Sequence, residues 1–219
     1  MAELDGLRWG PRSGGRAKQL VVLCHGVGAD GNDLIDLAPV WAQALPDAAF
    51  VAPHAPEPYD DAPEGFGRQW FSLGDRSPAR LEAGVRRAAP VLDGFLAAEL
   101  ARLGLPGDAL ALMGFSQGAM TVLFAGLRRN PPPRAILAFS GALLAPGSLA
   151  EAAGRPPVLL VHGEADEVVP IGRTRDAEAT LRQAGFPVET LYCPGLGHGI
   201  DEAGLSAGAL FLQRAFAAP

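Results

Sequence analysis

The sequence predicts one α/β domain with a mostly parallel, twisted sheet and helices on both faces. Short, continuous apolar runs alternate with stretches of helical periodicity along all 219 residues. Apolar residues make up 48% of the chain and charged residues 19%, which is the balance of a globular protein with a buried core. No segment has the composition of a linker, so residues 1–219 are expected to form a single domain.

The predicted elements alternate between strand and helix. Continuous aliphatic runs are typical of strands buried on both faces, and they occur at 20–24, 48–51, 109–113, 135–139, 158–161 and 188–193. Apolar residues at helical spacing predict helices at 32–45, 78–103, 119–127, about 172–184 and 201–216. Pro39 is expected to kink or split the first helix, and Pro90 to kink the second.

Charge and hydropathy exclude several classes of partner. The net charge of −6 argues against nucleic acid, because phosphate binding needs clustered cations. No apolar run reaches the roughly 18 residues of a membrane helix, and no secretory signal opens the chain, so a cytoplasmic location without membrane insertion is expected. Cys24 and Cys193 lie in separate predicted strands, which favours buried thiols over a disulfide or a metal site.

A Gly-Phe-Ser-Gln-Gly sequence at 114–118 follows one predicted strand and leads directly into a helix. In this context G-x-S-x-G forms a sharp turn that raises the serine hydroxyl above the sheet. The two glycines are needed because larger side chains clash within such a turn. The pattern predicts that Ser116 is a nucleophile for acyl transfer.

A serine nucleophile needs a base and a residue that orients the base. In this strand-turn-helix setting the chain order is serine, then acid, then histidine. Asp166 lies in the loop after one strand and His198 in the loop after the last strand. Both loops belong to the same sheet edge as Ser116, so we predict that the three residues form a triad.

Three neighbouring residues are alternatives to these assignments. Glu164 is the second candidate for the orienting acid. His162 also follows the serine, but it belongs to a strand end and is interpreted as a structural histidine. Asp201 stands after the candidate base, in the wrong chain order, and is expected to begin the last helix.

The glycine-rich loop after the first strand has two interpretations. The backbone N–H groups of Val27 and Gln117 are the expected donors of an oxyanion hole. The alternative is a dinucleotide-binding loop, since Gly26-x-Gly28-x-x-Gly31 is a literal G-x-G-x-x-G between strand and helix, as in an oxidoreductase. That motif also requires an acidic residue at the end of the next strand, and the sequence lacks one there.

Taken together, these motifs resemble the α/β-hydrolase fold, and more closely the family of small carboxylesterases, acyl-protein thioesterases and lysophospholipases. The matching stretches are LCHGVGADG at 23–31, QWF at 69–71, GFSQG at 114–118, HGEADEVVP at 162–170 and GH at 197–198. The resemblance implies a sheet of the eight-strand type, no cofactor, no metal, and hydrolysis of carboxylic esters or thioesters. It also implies that Trp70 and Phe71 bind substrate, although core aromatics are the alternative.

The natural substrate is left open by the sequence. Cys24, Ser72 and the acidic, proline-rich stretch 55–67 differ from the familiar members of this family. A lysophospholipase or a protein-acyl thioesterase of narrow range is the alternative to a general carboxylesterase, and a non-catalytic binding module is a remote one. The long segment 53–76 is expected to be an active-site loop. Homodimers are common in the resembling family, so a homodimer is a further expectation.

Overall fold

The computed structural model describes residues 4–62 and 65–218 and contains a central sheet of seven strands. Its strands are β1 Gly6–Trp9, β2 Gln19–Cys24, β3 Ala48–Pro53, β6 Leu110–Phe115, β7 Ala135–Phe139, β8 Val158–Gly163 and β9 Val188–Cys193. A separate two-stranded ribbon consists of β4 Glu57–Pro58 and β5 Arg68–Gln69. The sheet order is β1-β3-β2-β6-β7-β8-β9, and only the β1–β3 pair at its edge is antiparallel.

Six α-helices connect these strands in the described part of the chain. They are α1 Gly31–Ile35, α2 Ala38–Trp41, α3 Pro78–Leu103, α4 Gln117–Arg128, α5 Gly172–Gln183 and α6 Glu202–Ala217. The predicted split at Pro39 is confirmed, because Pro39 lies in the first turn of α2, separate from α1. Helix α3 runs through Pro90 as one helix of 26 residues, so a bend there stays a prediction.

Two hydrophobic clusters lie on opposite faces of the sheet. Alternate residues of a strand face opposite sides. Leu20 and Val22 of β2 therefore pack with residues of α3, α4 and α5, whereas Val21 and Leu23 pack with residues of α1, α2 and α6. This three-layer arrangement confirms the predicted α/β class, and it places the carboxyl ends of β2, β6, β7, β8 and β9 along one edge.

The structure also differs from the expectations in detail. The described residues form seven sheet strands where the resemblance implied a sheet of the eight-strand type. The edge strand β1, the β4–β5 ribbon within 53–76 and a 3-10 helix at Pro146–Glu151 have no strong sequence signal, because each is short. Cys24 and Cys193 are buried free thiols, as predicted. Within the described ranges, no helix combines the length and apolarity that crossing a membrane requires.

Candidate active site

Ser116 occupies a strained turn between β6 and α4. Its φ of 53° and ψ of −117° lie outside the regions that side chains favour. Its backbone N–H donates to Phe139 O at the end of β7, and its carbonyl accepts the N–H of Met120 in α4. The Ser116 side chain makes no capping hydrogen bond to the helix that follows, and the turn lies at the carboxyl end of β6, where the sequence predicts it.

The two glycines of this turn are explained by close backbone contacts. A Cβ on Gly114 would lie 2.4 Å from the Gly118 carbonyl carbon, inside the turn itself. A Cβ on Gly118 would lie 1.9 Å from Cys24 O, at the end of β2. The serine turn and the loop after β2 therefore contact each other backbone to backbone, which only glycine permits.

The loop after β2 brings a second set of backbone N–H groups to the serine. A Cβ on Gly26 would lie 3.2 Å from Ser116 Cβ, so the loop borders the serine side chain directly. Among the described hydrogen bonds, none uses the N–H of Val27 or of Gln117. Two unpaired donors beside a serine are the arrangement that an oxyanion hole requires.

The dinucleotide alternative for this loop finds no support in the structure. The helix that follows Gly31 is α1, which has only five residues, and a phosphate-binding loop relies on the field of a longer helix. Gly31 is instead needed for packing, since a Cβ there would lie 2.3 Å from Ala52 O of β3.

Asp166 and His198 come together from the loops after β8 and β9. His198 Nδ1 lies 2.7 Å from Asp166 Oδ2 and donates to it. The other carboxylate oxygen, Oδ1, accepts the backbone N–H groups of Val168 at 2.9 Å and Val169 at 2.8 Å. The carboxyl group is buried, whereas the imidazole is 18% exposed and is thereby accessible from the sheet edge.

The Asp166 carboxylate is stabilised in its charged form. Burial raises the pKa of this group, but the hydrogen bonds from His198, Val169 and Val168 outweigh burial and hold its pKa below the ordinary value. The carboxylate is therefore ionised at neutral pH and stabilises positive charge on the neighbouring imidazole. Glu164, the alternative acid, is exposed and lies 3.9 Å from Arg175, away from this pair.

The His198 ring lies beside the serine turn. Its centroid is 4.8 Å from that of Phe115, the residue before Ser116. Among the described residues no hydrogen bond joins Ser116 Oγ to His198 Nε2, and the imidazole's hydrogen bond is the one to Asp166. Such contacts commonly tighten only when substrate is bound. The structure thus brings Asp166 and His198 together and places the His198 ring beside the turn that carries Ser116.

The Gln117 side chain has a role that the sequence did not predict. Its Oε1 accepts the backbone N–H of Trp70 at 2.9 Å, and its Nε2 donates to Phe71 O at 2.6 Å. These bonds fix the backbone of Trp70 and Phe71 next to the serine turn. Trp70 and Phe71 are 1% and 0% exposed, and their rings belong to the core. A direct contact with substrate stays a prediction for them and would require the segment to move.

Two further histidines are buried at the same sheet edge. His25, after β2, donates from Nδ1 to Gly26 O at 2.7 Å and accepts the Ala55 N–H at Nε2. Desolvation lowers its pKa to about 4, so the ring is neutral and structural. His162, at the end of β8, lies with Nε2 3.2 Å from Asp166 Oδ2. In the described part of the chain, no group of three or more His, Cys, Asp or Glu side chains is arranged to hold a metal ion.

The fold and this site define an α/β-hydrolase with a serine turn, a buried acid and a histidine at the carboxyl edge of the sheet. The chain belongs to the phospholipase/carboxylesterase family, whose profile it matches over residues 12–215. It is 31% identical to Esterase YpfH of Escherichia coli (strain K12) over 186 residues, 84% of this chain and 78% of that protein. It is 29% identical to Acyl-protein thioesterase 1 of Neurospora crassa over 194 residues, 81% of this chain and 79% of that protein.

A solved structure supports the same assignment. The crystal structure of esterase PE8 superimposes with a TM-score of 0.91 at 43% identity, over 98% of this chain and all of that one. The protein is therefore an enzyme that hydrolyses carboxylic esters or thioesters. Hydrolysis of such bonds is the chemistry that the sequence motifs predict.

Proposed function

We propose that Ser116, Asp166 and His198 are the catalytic triad and that hydrolysis passes through an acyl-enzyme. Ser116 Oγ attacks the carbonyl carbon while His198 Nε2 takes its proton, and the same nitrogen then protonates the leaving alcohol or thiol. Water hydrolyses the resulting ester of Ser116 in the reverse sequence. The observation that carries this proposal is the 2.7 Å hydrogen bond from His198 to Asp166, beside the strained serine turn.

The tetrahedral oxyanion is stabilised by the N–H groups of Val27 and Gln117. Both are free of other acceptors in the described structure, so neither loses a hydrogen bond when charge develops on the carbonyl oxygen. Gln117 follows the nucleophile directly, and the loop that carries Val27 borders Ser116 through Gly26. Asp166 holds the Nδ1–H tautomer of His198, which leaves Nε2 as the base.

The acyl part of the substrate is placed in a cavity of about 360 Å³ at the same sheet edge. Leu143 and Leu144 line this cavity. They closely follow Gly141, which lies against the serine turn, since a Cβ on Gly141 would be 3.3 Å from Ser116 O. Leu81 and Ala177 contribute further apolar surface from α3 and α5. The lining also contains charged side chains from α3 and α5, and a cavity of this size suits a short or medium acyl chain. Rates on p-nitrophenyl esters of rising acyl length, on an acyl thioester and on a lysophospholipid would define the substrate range.

The decisive experiment is labelling of the purified protein with a fluorophosphonate, followed by mass mapping of the modified peptide. We expect the label on Ser116, and we expect Ser116→Ala to lower kcat by on the order of 10³ or more while the protein stays folded. Ser206→Ala is the matched control, since Ser206 is an exposed serine of α6 and should retain full activity. Labelling of another serine, or an active Ser116→Ala variant, would refute the triad.

A further inference from the structure

The buried histidine at the end of β8 contacts the same carboxylate oxygen as the base. His162 Nε2 lies 3.2 Å from Asp166 Oδ2 and 2.8 Å from Val169 O. The side chains of His162 and Asp166 are both fully buried. Asp166 Oδ2 is thus shared by two imidazoles, His162 and His198.

The neighbours of the ring determine where its proton is. Val169 O can only accept a hydrogen bond, so the nitrogen facing it, Nε2, carries hydrogen and donates it to Val169 O. Nδ1 lies 2.6 Å from Thr174 Oγ1, within hydrogen-bond distance. Thr174 Oγ1 also lies 3.2 Å from Gly141 O, which borders the serine turn.

We propose that His162 is a positioning residue of the hydrolytic site: its Nε2–H holds Val169 O, and the N–H of Val169 in turn holds Asp166 Oδ1. The proposal rests on the proposed function, since it assigns a role relative to the triad. Val168 and Val169 fix only Oδ1 of the carboxylate. Without His162, Val169 O would lose this hydrogen bond, the turn that carries the two N–H groups would be held less firmly, and His198 would be the remaining firmly held partner of the carboxylate. The orienting group would then be held by the residue that it has to orient.

Thr174 completes this arrangement from α5. Its hydroxyl contacts His162 Nδ1 and leaves the imidazole no free ring nitrogen, so the plane of the ring is fixed. A small displacement of a catalytic group is costly, because about 1 Å of misplacement can lower a rate by on the order of 10². His162 and Thr174 therefore affect turnover without touching the substrate.

The test compares two substitutions at the same position. His162→Gln keeps an amide N–H near the place of Nε2, whereas His162→Leu removes every donor. We expect kcat to fall by about 10–100-fold in His162→Leu with KM changed less than about twofold, and His162→Gln to stay within about fivefold of the wild type. Equal impairment of the two variants, or full kcat in a folded His162→Leu variant, would overturn the proposal.

A second pair covers the case in which His162→Leu does not fold. Thr174→Val removes the hydroxyl at nearly constant volume, and Thr190→Val does the same on β9, where the hydroxyl bonds Glu178 instead. We expect Thr174→Val to lower kcat by about three- to tenfold and Thr190→Val to leave it unchanged. The proposal is wrong if both threonine variants keep wild-type kcat.

A spectroscopic readout separates this proposal from the proposed function. The proton in the His198 Nδ1 to Asp166 hydrogen bond is observable by proton NMR without turnover. We expect its resonance to shift or broaden in His162→Leu and to be retained in His162→Gln and Ser116→Ala. If the wild type is active and the resonance is the same in the wild type and in His162→Leu, the triad is unaffected and the role of His162 is refuted. The activity of Ser116→Ala is tested separately. A fully active Ser116→Ala variant refutes both the proposed triad and the role of His162.

Discussion

The two halves of the active site are held together by different interactions. In the half formed by β2 and β6, backbone lies directly on backbone, and Gly114 and Gly118 are the residues that permit it. In the half formed by β8 and β9, side chains are joined by hydrogen bonds around the buried carboxylate of Asp166. The ring of His25 belongs to the first half and bonds only backbone groups, whereas the ring of His162 belongs to the second and bonds one side chain and one carbonyl.

Because of this difference, substitutions in the two halves should affect stability and activity differently. An added methyl group in the backbone-packed half has no room, so it disturbs the fold and the nucleophile together. A changed side chain in the hydrogen-bonded half leaves the backbone in place and acts on turnover. His25 and His162 are equally buried, but their burial does not determine their function. The hydrogen-bond partners of each ring determine its role.

The largest effect is expected in the hydrogen-bonded half, from Asp166→Asn. The amide cannot stabilise the charged imidazole or hold its tautomer, so kcat should fall by on the order of 10³–10⁴. Glu164→Gln is the control, because that side chain is exposed and outside the Asp166–His198 pair, and it should keep full activity. Steady-state kinetics on a p-nitrophenyl ester measure both. A larger loss in Glu164→Gln would reassign the orienting acid.

In the backbone-packed half, Gly118→Ala should lower both stability and activity. Its Cβ would lie 1.9 Å from Cys24 O, so the loop after β2 has to move, and we expect the free energy of unfolding to fall by about 3 kcal/mol. Gly94→Ala on α3 is the matched control, since a Cβ there meets nothing within 4 Å and should stabilise the helix by about 0.5–1 kcal/mol. Urea denaturation gives both values, and a stable Gly118→Ala variant would contradict the packing comparison.

Acid should reduce activity before it reduces stability. A histidine accepts the serine proton only while its ring is neutral, so kcat/KM should decrease as the solution is acidified while circular dichroism stays constant. The pKa of Asp166 is lowered in the folded protein, so its ionisation stabilises the fold above the ordinary aspartate pKa of about 3.9. That contribution is lost only as the pH falls further, through the lowered pKa. A rate independent of pH down to about 5 would exclude a histidine base.

The smallest effect is expected at the two cysteines, one in each half. Burial raises the pKa of Cys24 far above its ordinary value, and burial together with Asp201 raises the pKa of Cys193 to about 11. Both remain protonated thiols near neutral pH, and thiols are poor nucleophiles. Iodoacetamide should therefore modify neither in the native protein and both after unfolding, as read by intact mass. Rapid native modification would show that one half opens in solution.

Much of the site could be predicted because its signals are local. The glycines around Ser116 and the strand before it define the turn within five residues, and chain order then selects Asp166 and His198. The two hydrogen bonds of the Gln117 side chain could not be predicted. Its partners, Trp70 and Phe71, are 47 and 46 residues away and are bound through their backbone.

Other features depended on contacts that have only a weak trace in the sequence. His162 and Asp166 are four residues apart, and this spacing is the only signal of their contact. The same spacing is compatible with side chains that point apart, so a structural histidine was the reasonable expectation. The burial of Phe71 likewise depends on its packing against α3. A Cβ added at Gly84 of α3 would lie 2.9 Å from the Phe71 side chain, so the two are in close contact.

The sequence by itself determined the order of strands and helices, and with it which loops share the carboxyl edge of the sheet. Hydrophobic periodicity and glycine placement encode these features within single segments. Only the tertiary structure decided how closely the loops approach, which N–H groups stay free and which imidazole reaches the carboxylate. Those distances arise from the packing of segments far apart in the chain, and no local pattern specifies them to the ångström that hydrogen bonding requires.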